Sequence, residues 1–291
     1  DTLNSVSFVA GDTVVMEFTP SGPSPTGPLA RWSMKWTPVI AGETILSYAS
    51  GNNLNTGGSL RYAPPGATSN TWQLVEPNAQ VLVPGDFWIR KFVTTLNNAP
   101  GVGTSYTFTT RVNETAGDLS SVVSGTDTTD SNIVNFDSIV AEDKLAVSSL
   151  SLGGVATTQA KWGMVLVDNS VVPPPTPSPT PTPTPSVSPT PVPSPTPIPS
   201  PGTLLLRTPI MSGGSVVPPT SGITYSYPFG NLLAWNATEN NQRAVIATLG
   251  TASEFYVNLG SSPGTGKSWA FTLVKNGVDT GISCTVTDSN Q

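Results

Sequence analysis

Outside one proline-rich stretch, apolar and polar residues alternate in short runs that Gly, Pro, Asn or Asp interrupts every eight to twelve residues. A period of two places successive side chains on opposite faces of a strand, so such runs predict half-buried strands. They are clearest over Ser5–Ala10, Thr13–Phe18, Arg31–Thr37, Lys91–Leu96, Ser105–Val112, Lys161–Val167, Glu254–Leu259 and Ser268–Lys275. In Arg31–Thr37 the alternation sends Trp32, Met34 and Trp36 to one face and Arg31, Ser33 and Lys35 to the other. No long segment keeps an apolar period of 3.6 residues, which predicts an all-β fold with at most a helical turn. The expected architecture is two antiparallel β-sandwich modules, of jelly-roll or Ig-like kind, separated by a polyproline II linker.

An internal repeat sets the expected organisation. A shift of 163 residues carries Tyr62, Pro65, Trp72, Glu76, Asn78, Phe92 and Leu96 onto Tyr225, Pro228, Trp235, Glu239, Asn241, Phe255 and Leu259. The same shift carries Pro100, Gly101, Gly103, Ser105, Phe108, Thr109 and Asn113 onto Pro263, Gly264, Gly266, Ser268, Phe271, Thr272 and Asn276. The second copy stops at Gln291, and its missing half stands at the other end: Arg31, Trp32 and Met34 match Lys161, Trp162 and Met164 at a shift of 130. The two shifts together come within two residues of the 291-residue length.

Residues 41–170 therefore read as a complete sandwich, 203–291 as the N-terminal part of a second, and 1–40 as the C-terminal half of a sandwich. Three arrangements satisfy this register. The chain is one period of a tandem array, or separate chains join head to tail by strand donation, or a single chain closes on itself with 41–170 inserted in a permuted domain. The two polymer arrangements are preferred, because modules already touching through residue 40 would need no long spacer. In them residues 1–40 complete 203–291 of a neighbouring subunit or repeat, with Val6, Phe8, Val14, Met16, Trp32, Met34 and Trp36 as the assembly interface. Several large apolar side chains, at roughly 1.5–3 kcal/mol each, would make that junction hard to reverse.

Residues 171–202 are the linker. Half of the 30 prolines lie in Pro173–Pro201, and proline's fixed φ and missing N–H keep such a run out of helices and sheet interiors. Extended as polyproline II it would reach about 90 Å. Its Thr176, Thr180, Thr182, Thr184, Thr190 and Thr196 are candidates for O-linked sugar, and Asn113-Glu-Thr115 and Asn236-Ala-Thr238 match the N-glycosylation acceptor pattern.

Charged residues are only 10% of the chain, the net charge is −6 and the pI about 4.5. These values offer no electrostatic footprint for nucleic acid or an anionic membrane. No apolar run approaches membrane-spanning length, and the sequence shows no signal peptide before Asp1, so it reads as mature or as a piece of something longer. A single cysteine, Cys284, gives no disulfide framework, and the absence of histidine removes the usual general base, the Ser-His-Asp relay and most zinc sites. The expectation is no enzyme and no cofactor.

Weaker signals have bland explanations. Ser262–Ser268 (SPGTGKS) resembles a phosphate loop, but its counterpart Ala99–Ser105 (APGVGTS) lacks the lysine, and a glycine hairpin explains both. Asp118, Asp127, Asp130 and Asp137 are close enough to suggest calcium, but Asx turns account for such residues without metal. Trp32, Trp72, Trp162 and Trp235 occupy equivalent places and read as core. Trp88, Tyr225 and Tyr227 are candidates for a sugar-stacking platform.

NNAPGVGTSYTFTTRVN and GSSPGTGKSWAFTLVKNGVDTGISCTVTDSN resemble uncharacterised β-sandwich repeats of microbial surface proteins and phage structural fibre proteins. These typically show a PGxGKSYTFTLRVNG hairpin followed by a strand ending in RWS. Gly101, Gly103, Gly264, Gly266, Asn113 and Asn276 match the hairpin; Thr104 departs from its lysine. The resemblance implies a structural role with no catalytic residue. The resulting expectation is a structural subunit of an extracellular filament, assembling head to tail with itself by strand complementation or as a tandem array. The alternative is a secreted glycan-binding adhesin or virion fibre module. The expected partners are further copies of the chain, with glycans as candidates and without nucleic acid or membrane insertion, and the expected location is extracellular, on a cell or virion surface.

Overall fold

A computed structural model describes residues 1–22, 29–69, 72–169, 210–215, 221–231 and 235–290. The expected linker, residues 171–202, and its six threonines lie outside the described residues. The fold is all-β, as the alternation predicts. The N-terminal segment supplies β1 (Ser5–Phe8), β2 (Thr13–Ser21) and β3 (Ala30–Pro38). The middle supplies β4 (Glu43–Ser50), β5 (Arg61–Ala63), β6 (Ala67–Ser69), β7 (Val81–Leu82), β8 (Phe87–Leu96), β9 (Gly101–Val112), β10 (Thr115–Gly125), β11 (Thr129–Ile139), β12 (Lys144–Leu152) and β13 (Ala160–Asp168). After the proline-rich stretch come β14 (Ile210–Ser215), β15 (Thr224–Ser226), β16 (Gly230–Asn231), β17 (Ala244–Val245), β18 (Gly250–Leu259), β19 (Gly264–Lys275) and β20 (Val278–Asp288). Short 3₁₀ turns at Glu76–Ala79 and Glu239–Gln242 occupy equivalent repeat positions.

The strands form four sheets in two matching pairs. One pair has orders β11-β8-β13-β4-β6 and β10-β9-β12-β5, with β7 also on β12. The other has orders β1-β18-β3-β14-β16 and β20-β19-β2-β15, with β17 also on β2. Each strand of one order stands where its repeat equivalent stands in the other. Register is preserved too, since Trp162 opposes Thr94 as Trp32 opposes Val257. Even an irregularity recurs: Lys91 and Glu254, equivalent residues, both take positive φ (58° and 52°) where β8 and β18 shift register. A bulge there re-aims the strand at the same point in both copies.

Each pair encloses its own core. Between the first two sheets Tyr48, Phe92, Tyr106, Phe108, Trp162 and Met164 are buried, with Tyr48 stacked on Trp162 at 3.9 Å between ring centroids. Between the second two, Phe18 stacks on Trp269 at 4.4 Å. The indole N–H groups of the equivalent Trp162 and Trp32 donate to equivalent proline carbonyls, Pro65 O at 2.9 Å and Pro228 O at 3.0 Å.

One expectation is corrected. Residues 1–40 meet 203–291 of their own chain, not a neighbour's: β2 lies between β15 and β19, and β3 between β18 and β14. Phe8, Val14, Met16, Trp32, Met34 and Trp36 are buried in that core and Val6 packs against it. The expected assembly interface is thus the interior of one folded chain, in the third of the three arrangements. The physical reason is proximity, because a segment tethered to the same folded body meets its partner strands at a higher effective concentration than one on another chain. The backbone nitrogen of Asp1 also donates to Phe255 O at 2.6 Å, and the Asp1 carboxylate accepts from Leu3, Asn4 and Ser283 N–H, holding this residue against β18 and β20.

Trp36 is fully buried, and Gly250 leaves room for it: a Cβ there would stand 2.2 Å from the indole. Trp36→Ala is expected to lower unfolding stability by about 3–5 kcal/mol, and Gly250→Ala to be destabilising through overpacking. Urea denaturation of the full chain measures both.

Candidate functional site

The two sheet pairs are joined along the outer face of β8 and β13. Strand β13 reads AKWGMVLVD, and from Ala160 to Val165 every residue is buried, whereas its equivalent β3, ARWSMKWTP, alternates between buried and accessible positions. Even-numbered Trp162 and Met164 fill the strand's own core; odd-numbered Lys161, Gly163, Val165 and Val167 face the other pair. There Val93, Val165 and Val167 pack on Val245 and Ala247, with Trp88 at the margin. At Gly163 a Cβ would lie 2.4 Å from Val245 O, so the contact requires glycine. Ala49 is buried in the opposite core, with Ile45 packed against it.

A polar network runs through this joint. The buried carboxylate of Glu43 receives Arg90 at 2.5 Å, Lys91 at 2.7 Å and the Thr248 hydroxyl. Burial alone would raise the Glu43 carboxyl, but Lys91, Thr248 and Arg90 outweigh it and hold it below the usual carboxylate range. Tyr227 Oη donates to Ser47 Oγ at 2.8 Å, and Ser47 lies 3.3 Å from Val245 O. The fully buried Lys161 donates to Asn97 Oδ1 at 2.5 Å and to Asn240 O across the joint, while Asn97 Nδ2 reaches Asn241 Oδ1 at 3.1 Å. Burial, and then the nearby Arg243 guanidinium, push the Lys161 ammonium down to about 7.

A second difference between the copies is exposed. On the outer face of β10, β9 and β12, Val122, Thr107 and Leu150 lie in one row across the strands, and Leu152 opposes Ser105 in the next. Val122, Leu150 and Leu152 are exposed, Leu152 to 69%, and Val102 at the start of β9 to 86%. The equivalents in the other copy are Thr285, Thr19, Ser21 and Thr265. Around them the outward residues Ser105, Thr107, Ser120 and Ser124 carry no charge. Alternation gave both faces as outward, but only a position-by-position comparison of the copies shows that one is apolar and that another, on β13, is covered.

The remaining candidates are dispersed. Tyr227 is buried in the joint, Trp88 packs at its edge near Phe136, and the Tyr225 phenol, raised first by burial, bonds with Glu17, so these three aromatics present no common platform. Asp137 accepts from Thr110 Oγ1 and, at 2.7 Å, from Asp118 N; Asp130 accepts from Val122 N at 2.7 Å. These carboxylates cap backbone and hydroxyl donors, and among the described residues no three His, Cys, Asp or Glu side chains converge as metal ligands would. Gly101, Gly103, Gly264 and Gly266 all take positive φ at the starts of β9 and β19, but the preceding strands β8 and β18 belong to other sheets, so the expected hairpin is instead a crossing from one sheet to the next. Asn113 and Asn276 sit in the β9–β10 and β19–β20 turns, both with positive φ. No helix among the described residues is long and apolar enough to cross a membrane. No protein family, curated protein or solved structure matches the chain.

Gly163→Ala is expected to destabilise the joint, while Ser33→Ala at the equivalent free position changes stability by less than about 0.5 kcal/mol; thermal unfolding compares them. Because the folded Lys161 binds its proton more weakly than the unfolded one, its contribution to stability rises with pH from about 7 upward. Lys161→Met should flatten the alkaline limb of the stability–pH curve. Glu43 has the opposite sense: its stabilisation is present above the ordinary carboxylate range and is lost as pH falls through its lowered folded value, so Glu43→Gln should flatten the acid limb.

Proposed function

We propose that the protein is a non-enzymatic structural subunit of an extracellular or virion surface, made of two β-sandwich modules, and that it associates with further copies of itself through an uncovered sheet face. Residues 171–202 are the linker of this subunit and the carrier of its O-linked sugar. In this reading copies do not exchange strands, which is supported by the pairing of β2 and β3 with strands of the same chain.

The observation carrying this reading is the Val102, Val122, Leu150 and Leu152 face, apolar in one copy of the repeat and Thr or Ser at all four places in the other. A second copy is the occupant it suits. The chain carries a net charge of −6, yet the four aliphatic side chains and their Ser and Thr neighbours are uncharged, with the Asp130 carboxylate held at Val122 N on one margin, so two copies meet there with little like-charge repulsion. A face of four aliphatic side chains is small beside the roughly 800 Å² per partner of a standard interface, so a single contact is weak and gains strength only when several subunits are held together. Low overall charge and abundant Ser, Thr, Asn and Gly support an extracellular setting, as does the protease-resistant composition of the linker.

Sedimentation velocity over a broad concentration series tests the reading. The expected result is reversible, concentration-dependent association of a 30.1 kDa chain, weakened at least tenfold by Leu150→Thr with Leu152→Ser, the residues of the other copy. Filaments that persist in this variant would overturn face-to-face association and restore strand exchange.

A further inference from the structure

We infer that Asn236 is the site of N-linked glycosylation and that Asn113, which carries the same acceptor pattern, is a structural clamp that stays unmodified. The inference rests on the extracellular reading, since it needs a chain that passes an oligosaccharide transferase.

The repeat supplies the control for each asparagine. Asn113 has an equivalent in Asn276, and the two do the same work. Asn113 Nδ2 donates to Asp143 Oδ1 at 2.6 Å and its Oδ1 accepts from Lys144 N at 3.0 Å. Asn276 Nδ2 donates to Asp12 Oδ1 at 2.7 Å and its Oδ1 accepts from Thr13 N at 2.7 Å. Both adopt positive φ, which asparagine tolerates better than other residues with a side chain. In each copy the clamp ties a hairpin turn to the start of a neighbouring strand, β12 or β2. Asn276 is followed by Gly277 and Val278, with no acceptor pattern, so the clamp exists for the fold. At Asn113 a sugar on Nδ2 would compete with the Asp143 carboxylate that the nitrogen already engages.

Asn236 departs from its equivalent in the opposite way. Its counterpart is Gln73, and both sit in the same two-residue bridge, Tyr62 with Gln73 and Tyr225 with Asn236. The backbone therefore does not require asparagine there. What the shorter side chain adds is an Asx turn: Asn236 Oδ1 accepts from Thr238 N at 2.7 Å. Nδ2 has no partner among the described residues, and Ala237 and Thr238 are exposed. The turn is closed within three residues, so it forms without any distant strand.

In the modification Asn236 Nδ2 attacks the anomeric carbon of a lipid-pyrophosphate-linked oligosaccharide. A C–N bond forms, the anomeric C–O bond breaks, the lipid pyrophosphate leaves with the electron pair, and the amide proton passes to a base of the transferase. No oxidant or reductant enters.

The test is secretion of the full chain from eukaryotic cells, with intact mass and glycopeptide mapping before and after peptide-N-glycosidase F. One enzyme-sensitive glycan is expected, at Asn236. Thr238→Ala and, as a second variant, Asn236→Gln should each remove it, while Thr115→Ala, which destroys the other pattern and leaves the Asn113 clamp intact, should leave the mass loss unchanged. A glycan mapped to Asn113, one that survives Thr238→Ala, or secreted folded protein with none would overturn the inference. None of these outcomes touches Leu150 or Leu152, so sedimentation still judges the self-associating subunit separately.

Discussion

The packing of β2 and β3 into the C-terminal sheets is the contact without which the second half of the molecule is not a structure. Both are central strands, not additions at an edge: remove β3 and β18 loses β14, remove β2 and β19 loses β15. The residues after the linker would then be ribbons of two strands, each with an uncovered apolar face and unpaired edges, which is marginal in water. Trp32, Met34 and Trp36 on one strand, and Val14, Met16 and Phe18 on the other, supply much of the apolar surface that closes the core. Residues at opposite ends of the chain thus belong to one cooperative unit, and the middle of the chain is inserted between them.

Once that unit is closed, the two halves share a blueprint down to the bulge at Lys91 and Glu254, and their differences become informative. Gly163, Val165 and Val167 replace Ser33, Lys35 and Thr37 on the outward face of one strand, and there the other half docks. The joint also takes Glu43 and Lys161 out of water. Charges so buried are costly unless every one is paired, and their value is in fixing geometry more than in adding stability. Here Arg90, Lys91 and Thr248 satisfy the carboxylate, and Asn97 and Asn240 receive the ammonium. Thr248 and Asn240 reach these groups from the other sheet pair, so the contacts hold only in this docked orientation.

Asymmetry between equal halves also carries the functional argument. Positions that keep the same residue in both copies, such as Asn113 and Asn276 or Gly101 and Gly264, serve the shared fold. Positions where the copies part, such as Leu150 against Thr19 or Asn236 against Gln73, are free of that duty and are where a contact or a modification can be placed. An internal repeat thus provides its own reference, and the comparison needs no relative.

The alternation of Arg31–Thr37, the 163-residue shift and the 130-residue shift were enough to determine the all-β class, the equivalence of the strands and the need for 1–40 to complete 203–291. Those are properties of local period and self-similarity, which the chain carries in one dimension. Whether the completing strands come from the same chain was not determined, because composition shows a long spacer and says nothing of a joint that brings its two ends onto one body. Lys161, read as the outward partner of Arg31, is buried, since only the arrival of Val245 and Asn240 from the other half removes it from water. Tertiary structure decided that, and it decided which of two matching acceptor asparagines is already occupied, because hydrogen-bond partners thirty residues away leave no mark in a three-residue pattern.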